Sequence, residues 1–305
     1  MVSLDLDVFS GRDQVALLQE LSAEVERVAH GVGECVMALG ASVFKQSRVR
    51  PRHLTEMPSF AGDVLDPRQV HGDVLLQFGG ASLAHVVRPA EEILSGSRHW
   101  RLRWQSSGFR WGNRKSGGRA LADNPFRFTE GFGNPVADGE ASDRAIVRAG
   151  QQEPDWAVGG SYQVVRIIRF ATELWDKDPI GEQERIIGRR RNGRWLDGTP
   201  ADERANFSAD PQGSVTPLDA HVRRAAPDPR NHPEIVRRSY SYDLGGGDRG
   251  LVFTCFQRDL ANGFEAIQKR LEGESMSKYI LTTGGGYFFI PPPGNRWIEA
   301  IAQNA

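Results

Sequence analysis

The chain has 305 residues, with 38 lysines and arginines against 39 aspartates and glutamates and a formal net charge of −1. So even a balance gives no general attraction for nucleic acid or an anionic membrane, and no apolar run approaches the ~20 residues that a membrane span needs. Cys35 and Cys255 lie far apart and form no C-x-x-C pair, so neither a disulfide framework nor a zinc site is indicated; both read as buried thiols.

In chain order, Val2 to Phe9 reads as a strand, after which Val15, Leu18, Leu21, Val25 and Val28 recur at helical spacing on one face. A Pro-bearing stretch leads to a strand from His71 to Phe78, a short helical piece near Glu91 to Leu94, and a further strand from Trp100 to Trp111. Residues 112–156 are rich in Gly, Asn, Asp and Pro and weakly periodic, which predicts a long functional loop or an interdomain crossing.

The second half repeats the rhythm of the first. "GGSYQVVRIIRF" is a buried strand, and Glu173 to Arg191 a helix interrupted at Pro179-Ile180-Gly181. "RGLVFTCFQ" is another buried strand, Asp259 caps a helix with Phe264, Ile267 and Leu271 on one face, and "GGGYFFIPPPG" closes the series. The order of elements predicts an α+β chain made of duplicated ferredoxin-like halves, each an antiparallel sheet with helices. The halves are residues 1–112 and 156–305, with 113–155 connecting them. The arginines at 185, 189, 190, 191 and 194 read as a solvated face.

Two stretches carry the chemistry. In Arg127-Phe128-Thr129-Glu130-Gly131-Phe132-Gly133-Asn134-Pro135, the glycines and the Asn-Pro pair suit tight turns, but a carboxylate flanked by two phenylalanines is costly without a task or a partner. The second stretch, "DAHVRRA", with "IVRRSY" after it, supplies an imidazole and fixed cations. A haem peroxidase needs such a set: a neutral imidazole to ligate iron, and a carboxylate and an arginine to meet peroxide.

On the blocks "LGASVF", "MPSFAGDVLDPRQVHGDVLLQF", "RWQSSGF", "EGFGNP", "GGSYQVVRIIR", "WDKDPIGEQERIIGRR", "AHVRRA", "IVRRSYSYD", "GLVFTCFQRDLANGFEAIQKRL" and "YILTTGGGYFFIPPPG", the chain resembles the dye-decolourising peroxidases, and within them the deferrochelatase-type branch. The resemblance implies two ferredoxin-like halves with haem b, one iron per chain, between them. It implies His221 as the iron ligand, Arg237 as the arginine that meets peroxide, Glu130 as the acid-base group, Arg223 near the haem propionates, and Phe253 at the haem pocket. Strand alternation puts Phe253 on the face of Cys255 and opposite Phe256.

The chain departs from the family's G-x-x-D-G motif, because Arg127 replaces the first glycine and Glu130 the aspartate. The implied activity is reduction of hydrogen peroxide with oxidation of aromatic or phenolic donors, by way of a surface Trp or Tyr. Two alternatives stay open: a haem-dependent biosynthetic or iron-releasing enzyme with an altered peroxide side, and a non-catalytic haem-binding or haem-transfer protein. Asp219 reads either as the group that orients His221 or as a turn residue. His30, His53, His71, His85, His99 and His232 read as structural or solvent-facing. The resemblance also implies a homo-oligomer. The start of the chain shows no charged-then-apolar export pattern, giving the expectation of a cytoplasmic location.

Overall fold

Between strand β1 (Val2–Leu6) and strand β2 (Glu34–Gly40), helix α1 (Gly11–Val32) buries its stripe of Val15, Leu18, Leu21, Val25 and Val28 against Leu4, Leu39, Val74 and Leu76. The computed structural model describes the chain apart from residues 7–10, 33, 46, 97, 137, 226–234 and 305 and the side chains of 11–13, 30–32 and 138. The expected end of the first strand at Phe9, the His30 side chain and His232 fall outside the described residues.

Strand β3 (Val74–Gly79), helix α2 (Leu83–Gly96) and strand β4 (Trp100–Gln105) complete the first half, a βαββαβ unit with strand order β2-β3-β1-β4. In the connecting region, β5 (Trp111–Ser116), β6 (Arg119–Asp123) and β7 (Thr129–Glu130) form a separate three-stranded sheet, followed by α3 (Asp138–Ala145). A long functional loop or an interdomain crossing is the expectation there. The strands escaped notice because β5 is exposed at all six positions and β7 has two residues, so neither shows alternating burial.

The second half runs β8 (Ser161–Phe170), α4 (Thr172–Trp175), α5 (Ile180–Ile187), α6 (His221–Ala225), β9 (Val236–Arg237), β10 (Tyr240–Asp243), β11 (Arg249–Gln257), α7 (Ala266–Leu271), β12 (Ile280–Ile290) and α8 (Arg296–Gln303). Its order, β10-β11-β8-β12, repeats that of the first half strand for strand. Pairing of Phe288 with Gly40 and Phe289 with Leu39 joins β12 to β2, so the two four-stranded sheets, with β9 on β11, form one continuous antiparallel sheet. We keep the three-part division at 1–112, 113–155 and 156–305 as a proposal, supported by this repeated order.

A loop of the first half docks on the second. Val64 and Asp66 donate their N–H groups to the carbonyls of Thr282 (3.0 Å) and Thr283 (2.8 Å), and His71 donates to Gly285 (2.8 Å), where the register of β12 shifts. A β-carbon on Gly284 would stand 2.5 Å from the Gln69 carbonyl oxygen, so this close approach requires glycine. Arg166, 3% exposed, reaches the same loop with a bidentate hold on Asp63 and a bond to Thr282 Oγ1 (3.0 Å).

Candidate active site

A cavity of about 870 Å³ lies in the second half, bounded by residues of α5, α6 and α7 and by Ile168, Phe170, Leu251, Phe253, Ile280 and Thr282 of β8, β11 and β12. The expected location between the halves is thereby narrowed. Among the described residues of the first half, the loop residues Ala61, Gly62, Asp63 and Arg110 reach the cavity, and the connecting region supplies the Glu130 loop. The wall is largely aromatic and aliphatic, including Phe126, Phe128, Phe264 and Met276.

His221 opens α6 and lines this cavity. Its Nδ1 lies 2.6 Å from Oε2 of Glu274, a carboxylate whose side chain is only 4% exposed. Such a bond fixes the ring and its tautomer and raises the basicity of the other nitrogen. Nε2 has no hydrogen bond among the described residues and is the atom available to a metal. Asp219, one of the two readings for orienting the ring, instead accepts a hydrogen bond from the Ser275 hydroxyl, anchoring the segment that carries Glu274.

The Glu130 loop is built by Asn124, whose Oδ1 accepts the N–H groups of Phe126 and Phe128, both at 3.0 Å. Arg127, at the apex, has φ +66, the left-handed conformation that favours glycine. Arg127 thus occupies a glycine-favouring conformation in the turn, and its side chain pairs with Asp176. Phe126 stacks on both Trp175 and Phe170 with ring centroids 4.3 Å apart, and Phe128 meets Trp175 edge-on at 6.0 Å. Phe126 and Phe128 thus pin the loop of the acid to the second half's core. The carboxyl of Glu130 is half-buried at the cavity wall; its desolvation there raises its pKa above the ordinary range, against the opposing effects of the Asn124 hydrogen bond and the charges of Arg237, Arg110 and His221.

Arg237 sits on β9, locked by two bonds to one side chain. Its N–H donates to Asn134 Oδ1 (3.0 Å) and its carbonyl accepts from Asn134 Nδ2 (2.8 Å). Glu130, Arg237, His221 and Phe253 all line the one cavity, whereas Phe256, on the other face of β11, does not. The Arg223 guanidinium is committed to Asp210 Oδ2 (3.1 Å) and to the carbonyls of Thr216 and Asp210 (both 2.7 Å), and it is not among the residues of the cavity wall, which its neighbours His221 and Val222 line. Five arginines were read as a solvated face, yet Arg189 turns inward, its guanidinium carbon 3.5 Å from the centroid of Trp195. His53, His71, His85 and His99 take no part in the cavity wall.

Glu274 went unnoticed because it lies 53 residues from His221, beyond any local pattern. The run of neighbouring arginines makes Arg189 read as solvated, although the Trp195 ring draws it inward. Trp195, the only tryptophan on the cavity wall, was the available signal.

Two family models match the chain: "Dyp-type peroxidase, N-terminal" over residues 1–110 and "Dyp-type peroxidase, C-terminal" over residues 122–295. A Deferrochelatase of Yersinia pseudotuberculosis is 39% identical over 257 residues, covering 80% of this chain and 59% of that relative. The chain therefore spans less than two thirds of the length of the curated relatives it first matches. Among solved structures, ferric DtpA from Streptomyces lividans superposes with a TM-score of 0.85 at 28% identity, covering 98% of this chain and 91% of that one. A DypB variant from Rhodococcus jostii in complex with heme has a TM-score of 0.76 at 21% identity, covering 99% and 94%, a likeness of fold alone.

Proposed function

The chain belongs to the Dyp-type peroxidase family, and on that premise we propose that it is a haem peroxidase that reduces hydrogen peroxide and oxidises aromatic or phenolic donors. The observation that carries this reading is one cavity lined by an imidazole held by a buried carboxylate, a second carboxyl with a raised pKa, and a guanidinium.

Haem b fits these residues. The wall offers apolar contact through Phe253, Leu251, Ile168 and Met276, His221 keeps Nε2 for iron, and several cavity arginines have no protein carboxylate beside them to compete for an anionic ligand. When bound, the haem supplies redox chemistry at iron. His221 would hold the metal, and Glu274 would keep the ring oriented and electron-rich. Glu130 would accept a proton from one oxygen of peroxide and deliver it to the other. Arg237 places a fixed positive charge beside the oxygen that becomes anionic as the O–O bond breaks. The aromatic donor then provides the electrons.

The test is peroxide-dependent oxidation of a phenol by haem-loaded wild type, Glu130→Gln and Arg237→Leu. Activity that falls sharply in both variants, with haem still bound, supports the assignment, and activity unchanged in both overturns it. A second reading, release of iron from haem, is favoured by the name of the Yersinia relative; iron-free porphyrin fluorescence appearing in the same reaction would select it. A haem carrier would bind haem and do neither. A cytoplasmic location and a homo-oligomer belong to the same proposal. Among the described residues no helix is long and apolar enough to cross a membrane.

A further inference from the structure

The guanidinium of Arg237 makes no hydrogen bond or ion pair among the described residues. Its place in the cavity is therefore inherited from its backbone and from what packs beside it. Strand β9 is only two residues long, and it pairs with β11 through Val236 opposite Phe256 and Arg237 opposite Cys255. Arg238 donates its N–H to the Thr254 carbonyl (2.8 Å), on the β11 side. The N–H and C=O of Arg237 face the opposite edge, because successive residues of an antiparallel strand bond in opposite directions.

Asn134 takes both of those groups, its Oδ1 accepting the N–H at 3.0 Å and its Nδ2 donating to the carbonyl at 2.8 Å. One planar amide supplies a donor and an acceptor together and so stands in for a missing strand partner; an aspartate offers only acceptors, and a leucine neither.

Asn134 belongs to the turn that starts at Glu130. The near end of that turn is anchored, since Glu130 pairs with Ala122 of β6 and Thr129 donates its N–H to the Arg191 carbonyl (2.9 Å). Gly131, at φ +110, lies so close to β6 that a β-carbon would stand 2.5 Å from the Ala120 carbonyl oxygen. The far end is closed by the N–H of Asn134 on the Gly131 carbonyl (3.0 Å). One short, anchored turn thus carries the acid at its start, and the side chain at its end grips the strand that carries the cation.

We propose that Asn134 is a positioning residue for the reaction with peroxide: its amide sets where Arg237 stands relative to Glu130, so that acid and cation form one preset unit. This inference rests on the haem peroxidase reading above. Desolvation raises the Glu130 pKa, while the Asn124 hydrogen bond and the charges of Arg237, Arg110 and His221 lower it. Arg237 leads those charges, so displacing it leaves a trace on Glu130 that a general loosening of the fold does not.

The experiment compares wild type, Asn134→Ala, Arg237→Leu and the double variant. Glu130 is titrated in each apoprotein by carboxyl carbon NMR, its resonance assigned by its loss in Glu130→Gln, and the rate of reaction with hydrogen peroxide is measured in the haem-loaded proteins. Asn134→Ala is expected to raise the Glu130 pKa, as Arg237→Leu does, and to slow the peroxide step between about tenfold and a hundredfold, the scale of a displaced catalytic group. The double variant should be no slower than Arg237→Leu, and its Glu130 pKa no higher, because Asn134 acts through the arginine. Asn134→Ser, which also lacks the amide, takes the place of Asn134→Ala if that variant fails to fold. A Glu130 pKa and a peroxide rate equal to wild type in the Asn134 variant, or losses that add in the double variant, overturn this inference alone. Arg237→Leu reacting with peroxide at the wild-type rate overturns it together with the role of Arg237 on which it rests.

Discussion

Gly133 and Arg237 are in such close contact that a β-carbon on the glycine would stand 2.5 Å from Nη2 of the guanidinium. The backbone conformation there does not demand glycine, so the constraint comes from the arginine. Gly133→Ala is expected to push Arg237 aside by a fraction of an ångström or more and to slow reaction with peroxide by up to about a hundredfold, the scale of a misplaced catalytic group. Haem affinity should hold, because the substitution leaves His221 and the apolar wall untouched. Paired haem titration and peroxide kinetics check this.

Burial that raises the Glu130 pKa has a consequence for stability. A carboxyl with a folded pKa above its unfolded value is matched between the two states only at low pH, where both are protonated; it weakens the fold as pH rises through the folded pKa. Glu130→Gln should therefore melt at a higher temperature than wild type at neutral pH, with the difference vanishing below the unfolded pKa of about 4.3. Thermal melts of the apoprotein across that range read the effect directly.

The 2.6 Å contact of His221 with Glu274 predicts that Glu274→Gln raises the haem dissociation constant by about 10- to 100-fold, the range seen when a ligating histidine loses its supporting carboxylate. Asp219→Asn, at a carboxylate that bonds the Ser275 hydroxyl and not the His221 ring, should have a smaller effect. Transfer of haem to a scavenging apoprotein measures both.

Arg127→Gly restores the residue that its φ of +66 favours and removes an exposed ion pair with Asp176. The two changes oppose each other, so stability should move by no more than about 1 kcal/mol and peroxide kinetics should be unchanged. Denaturant unfolding alongside the kinetic assay tests it.

The parts of this fold that were legible in sequence are those fixed by local burial. The stripe on α1 and the bounds of β11 at Arg249–Gln257 follow from periodicity that the core enforces. The parts that were not legible are set by partners distant along the chain. Exposed β5 owes its existence to pairing with β6, Glu274 meets His221 across 53 residues, and the fate of Arg223 is decided by the Asp210 turn. In the Glu130 loop the sequence showed the acid among aromatic rings, but only the fold shows that Phe126 and Phe128 anchor it on Trp175.

The most direct test of the central claim is the change in haem absorbance when the loaded protein meets stoichiometric hydrogen peroxide in a stopped-flow mixer, for wild type and Glu130→Gln across pH. A rapid wild-type change is expected, growing faster as pH rises through a pKa above the ordinary carboxylate range, because Glu130 must be ionised to accept the proton. In Glu130→Gln the change should be slower by about 10²- to 10⁴-fold and should lose that pH dependence. Equal rates in the two proteins, with haem bound in both, would contradict the account.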